Sequence, residues 1–177
     1  MRYFLLAFFA IYGGMHFYAL LKANAALAFG PGTAILLILF MLAMILAPVI
    51  VHYSEKLGLE LFARIMAHIG FIWGGILFLF FSASVVIDLY RLAVSLSGLI
   101  LQRDYSAISL PVKYSFFIPL FLSLCISFYG YFEARNIRTE RILIKTSKLP
   151  AEIGRLRIVQ ISDVHLGLMV REGRLNR

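Results

Sequence analysis

Charge is what this chain has least of. Only 15% of its 177 residues are Asp, Glu, Lys or Arg, against 62% hydrophobic ones, and the mean hydropathy is +0.89. A soluble domain carries about a quarter charged residues. A chain this poor in charge cannot clothe itself in polar surface, and its composition places it in lipid. The single cysteine, Cys125, sits in an apolar run. No disulfide can form within the chain, and the redox compartment cannot be read. There is no Gly-x-x-x-x-Gly-Lys loop and no Gly-x-Ser-x-Gly elbow, so nucleotide cradling and serine hydrolysis find no support. No carboxylate pair lies within an apolar run, so a proton-coupled transporter has none either. Repeats and low-complexity tracts are also lacking.

What is there is a series of long charge-free runs. Arg2 precedes Tyr3 to Leu21, nineteen residues free of Asp, Glu, Lys and Arg. That length crosses the hydrocarbon as a helix. Ala23-Asn24-Ala25 resembles a signal-peptidase site. Gly13, Gly14 and His16, however, interrupt the compact apolar core of a signal peptide, so a retained helix is expected. Asn24 to Thr33, with Gly30-Pro31-Gly32, reads as a turn. The second span runs from Thr33 to Val51, with Pro48 tolerable near its end. His52 to Arg64 reads as a short polar connection. The third span is Ile65 to Ile87, ended by Asp88 and Arg91. It holds a Gly-x-x-x-Gly pattern at Gly70 and Gly74, which suits close helix packing within the chain. Leu92 to Leu101 is apolar but too short to cross. Leu89, Leu92, Leu96 and Leu99 recur in it at helical spacing, as in an interfacial helix or an extension of the third span. The fourth span is Tyr114 to Phe132. Pro119 predicts a kink in it, and Tyr129 and Tyr131 fall where an interfacial aromatic belt belongs.

The fold class expected is therefore an α-helical polytopic membrane region over 1–133, with spans about 3–21, 33–51, 65–87 and 114–132. His16 and His68 lie in these spans. They could clamp a haem iron from two sides, but interhelical hydrogen bonds satisfy them more simply. Asp88 reads as a solvated helix end.

Basic residues are unevenly spread. Seven of the seventeen Lys and Arg lie in the first 134 residues and ten between Arg135 and Arg177. Four spans put both ends of the chain on one side, with Arg2, Lys56, Arg64, Arg135, Arg138, Arg141, Lys145 and Lys148. Lys22, Arg91, Arg103 and Lys113 fall on the other. This bias favours termini in the cytoplasm of a multi-pass protein of the cell (inner) membrane. The basic tail lacks the interleaved aromatics of a nucleic-acid arm, so no nucleic-acid partner is expected. Membrane lipid is the expected partner, through a juxtamembrane collar facing anionic headgroups.

Chemistry is legible near the C-terminal end, in Arg157-Ile158-Val159-Gln160-Ile161-Ser162-Asp163-Val164-His165-Leu166-Gly167. Ile158 to Ile161 reads as a strand. It delivers a carboxylate and an imidazole two residues apart to its end, and Gly167 turns the chain. Such a pair can share a divalent metal. A neutral His165 would be needed, so metal affinity should fall as the pH drops below its pKa.

This string resembles the first signature of the calcineurin-like metallophosphoesterases. The approach through Ile142-Leu143-Ile144-Lys145, Leu149-Pro150 and Leu156-Arg157-Ile158 is similar to that of the family's membrane-anchored members. Residues 134–177 are then the start of an α/β metallophosphoesterase domain, with Arg171 to Leu175 opening the helix after the first loop. The resemblance implies that Asp163 and His165 ligate one of two divalent ions (Mn, Fe, Zn or Mg) in a hydrolase of phosphoester or phosphoanhydride bonds. The family's later signatures (Gly-Asp, Gly-Asn-His and Gly-His-x-His) are not in this sequence. The resemblance thus implies the N-terminal portion of a longer enzyme, incomplete and inactive by itself. The membrane anchor suggests a lipid-linked phosphorylated substrate. The alternative is a small non-enzymatic polytopic membrane protein whose Asp-x-His is incidental.

Overall fold

The computed structural model describes residues 2–134, 140–144 and 156–160. Four long helices dominate it: α1 (Arg2–Leu27), α2 (Pro31–Lys56), α3 (Glu60–Leu101) and α4 (Val112–Glu133), with a 3₁₀ turn at Ser106–Ile108 before α4. All four are long and apolar enough to cross a membrane. The four expected spans are thus present as helices.

Their limits differ from expectation, for local reasons. The polar stretch 52–64 is not a connection. Glu55, Lys56 and Glu60 are sound helix formers, so α2 runs to Lys56 and α3 begins at Glu60. The break between them needs only Gly58, in the left-handed region at φ +73°, where glycine carries no Cβ penalty. The first turn is likewise narrower than 24–33. α1 continues to Leu27, Ala28 takes φ +46°, and Pro31 opens α2 at a position where its missing N–H costs nothing. Leu92 to Leu101 is an extension of the third span and not a separate interfacial helix. Without proline or a left-handed residue before Gln102 (φ +50°), nothing stops α3.

The packing is inverted relative to a water-soluble bundle. The interior is lined largely by small residues: Ala19, Ala23, Ala26, Ala47, Ala63, Ala67, Ser84, Ser115 and Ser123 are buried. Large side chains such as Phe4, Leu36, Phe71, Phe121 and Phe128 stand on the outside. Hydrocarbon is as apolar as leucine, so membrane helices gain by close approach over small residues rather than by hiding large ones. Gly70 and Gly74 follow this rule. A Cβ on Gly70 would stand 2.9 Å from the Ala47 Cβ on α2, and one on Gly74 would meet the Tyr12 hydroxyl on α1 at 3.4 Å. Both glycines serve packing within the chain, as expected. Met15, Met41, Leu77, Phe80 and Phe116 fill the remaining centre.

No strand occurs among the described residues. The parts of the two expected strands that are described, 142–144 and 158–160, are unpaired. Ile142, Leu143 and Ile144 are 76–79% exposed, and Ile158 and Val159 are exposed too. A strand satisfies its N–H and C=O groups only on a neighbouring strand, and the described residues offer none. Among the described residues the α/β part of the expected fold therefore has no counterpart.

Candidate functional site

Two polar constellations interrupt the apolar bundle. The first ties three helices together at one end. Lys22, near the end of α1, donates to Asp88 Oδ1 on α3 at 2.7 Å and to the Ser115 carbonyl oxygen on α4 at 3.1 Å. Tyr18, one turn before Lys22, donates its hydroxyl to the other oxygen of Asp88. Arg91 follows three residues on, one turn beyond Asp88 on α3. The Lys22 side chain is 10% exposed and that of Asp88 37%. The pair is therefore neither fully wet nor fully buried. Asp88 is an ion-pair partner and not the solvated helix end expected of it.

The acceptor on α4 has a covalent origin. Pro119 has no N–H, so the carbonyl four residues earlier loses its helical donor. That carbonyl belongs to Ser115, and Lys22 supplies the missing hydrogen. In apolar surroundings a freed carbonyl needs such a partner. Proline here is less a flaw in α4 than the source of a docking point for α1.

The second constellation lies deeper. His16 on α1 is buried. Its Nδ1 lies 2.8 Å from the Tyr12 carbonyl oxygen, and Trp73 on α3 places Nε1 2.8 Å from His16 Nε2. A carbonyl can only accept and an indole N–H can only donate. The bonds therefore fix the neutral tautomer with the proton on Nδ1. Both ring nitrogens are then engaged, which leaves His16 no lone pair for an iron. The expected interhelical bond is found for His16. His68 instead places Nδ1 2.8 Å from the Arg64 carbonyl oxygen in its own helix. The helical sequence alone did not reveal Trp73 as the partner, because no local spacing relates residues fifty-seven apart.

These two constellations can hold helices in register. Among the described residues no group of three His, Cys, Asp or Glu side chains converges as metal ligands. The expected ligands Asp163 and His165 lie outside the described residues, as do Lys145, Lys148 and Arg171 to Leu175. Cys125 is exposed on α4, where it faces the surroundings of the bundle. No known protein family, no curated protein and no solved structure matches this chain.

Proposed function

We propose that this chain is the membrane-anchoring N-terminal portion of a metal-dependent phosphoesterase. One observation carries the reading: the run Ile161-Ser162-Asp163-Val164-His165-Leu166-Gly167 follows an apolar stretch in a basic tail that leaves a four-helix bundle. The donor set suits the group. A carboxylate and an imidazole bind Mn, Fe, Zn and Mg in varying preference, and Asp163 and His165 would hold one such ion. Bound divalent ions supply an acidified water and neutralise charge on phosphoryl oxygens. The exposed apolar residues Ile142, Leu143, Ile144, Ile158 and Val159 support the reading further, because their surface is what a sheet would cover.

Tethered to the bundle, such a site would work near a bilayer surface, which favours a lipid-linked phosphorylated substrate. The excess of Lys and Arg beside Arg2 and Arg135 favours the cytoplasmic side of the cell membrane. A reporter fused after Arg177 should be active only as a cytoplasmic fusion; activity only outside the cytoplasm would refute that orientation. The enzymatic reading is tested on the natural polypeptide in detergent, stripped of metal and assayed with bis(p-nitrophenyl) phosphate. Hydrolysis should return with added Mn²⁺. Metal-independent turnover would refute metal-dependent hydrolysis; no turnover with any divalent ion leaves the second reading, a non-enzymatic polytopic scaffold, favoured by the self-contained Lys22–Asp88 and His16–Trp73 ties.

A further inference from the structure

Three helices each turn one electron-rich group toward the Lys22 ammonium. α3 brings the Asp88 carboxylate, with Oδ1 2.7 Å from Nζ. α4 brings the Ser115 carbonyl oxygen at 3.1 Å. α1 brings the ring of Tyr18, whose centroid lies 5.6 Å from Nζ, within cation–π range. The result is a small cage with a carboxylate, a carbonyl and an aromatic face for walls.

Each wall is held by bonds that do not involve Lys22. Tyr18 donates its hydroxyl to Asp88 Oδ2, which steadies both side chains, and its ring meets the edge of Phe81 with centroids 5.2 Å apart. The Ser115 hydroxyl is spent on the Val112 carbonyl at 2.8 Å, so the carbonyl of Ser115 is the group that reaches toward α1. Pro119 leaves that carbonyl without a helical donor whatever stands at position 22. The cage is therefore set before the ammonium enters it.

The walls select the kind of cation. An ammonium carries three N–H donors on one compact centre, and two of them reach acceptors on two different helices here. A guanidinium is a planar fork suited to both oxygens of one carboxylate. A quaternary ammonium has no N–H and answers the ring alone. A divalent metal ion asks for about six oxygen ligands, and two oxygens bond Nζ.

We propose that the junction of α1, α3 and α4 is a binding site for a primary alkylammonium ion, and that Lys22 fills it as a tethered ligand. The lysine stem supplies a high local concentration of the cation; the recognition lies in Asp88, Ser115 and Tyr18. Cutting the stem then leaves a site that a free primary amine can occupy. Asp88, 37% exposed where Lys22 is 10% exposed, gives the way in. The site stands or falls apart from the phosphoesterase reading, since no hydrolysis is involved.

The test uses the full 177-residue chain in detergent at neutral pH, where alkylamines are protonated. Lys22→Ala removes three carbons and the nitrogen, the atoms of n-propylammonium. n-Propylammonium chloride should raise the melting temperature of Lys22→Ala saturably, as a ligand of the folded form does, and recover most of what the substitution lost. Tetramethylammonium chloride and potassium chloride at equal concentration should not. The unaltered chain, its cage filled, and the doubly substituted Lys22→Ala, Asp88→Asn chain should not respond to n-propylammonium. Should Lys22→Ala fail to fold, Lys22→Cys in a Cys125→Ala background is alkylated while unfolded and then refolded. 2-Bromoethylamine rebuilds a lysine-like ammonium there, and iodoacetamide leaves a neutral amide of similar length. The aminoethyl adduct should melt well above the amide adduct. Equal responses to n-propylammonium and tetramethylammonium, rescue that survives Asp88→Asn, an equal rise in the unaltered chain, or equal melting of the two adducts overturns the proposal.

Discussion

The helical bundle closes on itself, whereas the described stretches of the basic tail, 140–144 and 156–160, stand exposed. The difference lies in where each finds its hydrogen bonds. Tyr3 to Leu21 satisfies its backbone within the run, because each N–H reaches a carbonyl four residues back. As strands, Ile142 to Ile144 and Ile158 to Gln160 would borrow theirs from other strands. The first kind of segment carries its structure in a local stretch of sequence; the second depends on chain that lies elsewhere. The same contrast appears in side chains. The bundle spends its polar groups on ties between helices, while the tail carries Asp163 and His165, proposed here as metal ligands.

The largest effect expected from breaking this contrast is in the tail. Asp163→Asn in the natural polypeptide should lower Mn²⁺-restored hydrolysis more than about a hundredfold, because lost second-shell partners alone cost 10–100-fold. The bundle's thermal unfolding in detergent should stay unchanged. A parallel loss of both would mean that the two regions are not independent.

Inside the bundle, Lys22→Met should be the most damaging of the changes considered. It takes the ammonium from Asp88, leaving the carboxylate the Tyr18 hydroxyl, and strands the Ser115 carbonyl. Removing one partner of a buried pair costs about 3–5 kcal/mol, and exposed pairs are worth about 0.2–1 kcal/mol. With Asp88 37% exposed, a loss of roughly 2 kcal/mol lies between these limits. Chemical denaturation in mixed micelles would read it. The double variant Lys22→Met, Asp88→Asn should recover part of the loss, since the uncompensated charge is then gone.

Gly70→Ala comes next. Its Cβ would stand 2.9 Å from that of Ala47, so α2 and α3 must part, at about 1–3 kcal/mol as for other overpacked cores. Gly13→Ala, whose Cβ meets nothing within 4 Å, should leave the melting temperature unchanged or raise it slightly.

Trp73→Phe should have a smaller effect, about 1 kcal/mol, because polar bonds between membrane helices average about 0.6 kcal/mol and reach about 1.7. A shift in melting temperature would report it, and a complementary gain on also changing His16→Phe would show that the cost was the orphaned Nε2.

These differences also explain what could be read in advance. Four spans were legible because twenty apolar residues without charge have few alternatives. Their ends were not. Charge marks the edge of lipid, whereas Gly58 and Ala28 mark the end of the helix, and the two need not coincide. Asp88 looked like a free helix end because Lys22 is sixty-six residues away. Pro119 announced an altered helix, but nothing local to it revealed that Lys22 would fill the vacancy it makes. Asp163 and His165 were legible as a pair through a resemblance; the described residues do not include them.

The most direct test of the proposed ion cradle is a count of metal. The natural polypeptide, purified in detergent, loaded with Mn²⁺ and freed of excess, should retain about two ions per chain by elemental analysis, as a two-ion phosphoesterase site requires. His165→Ala should lower that number while the helical circular dichroism of the bundle stays the same. Retention of no ion by the unaltered protein, or an identical count with and without His165, would contradict the account.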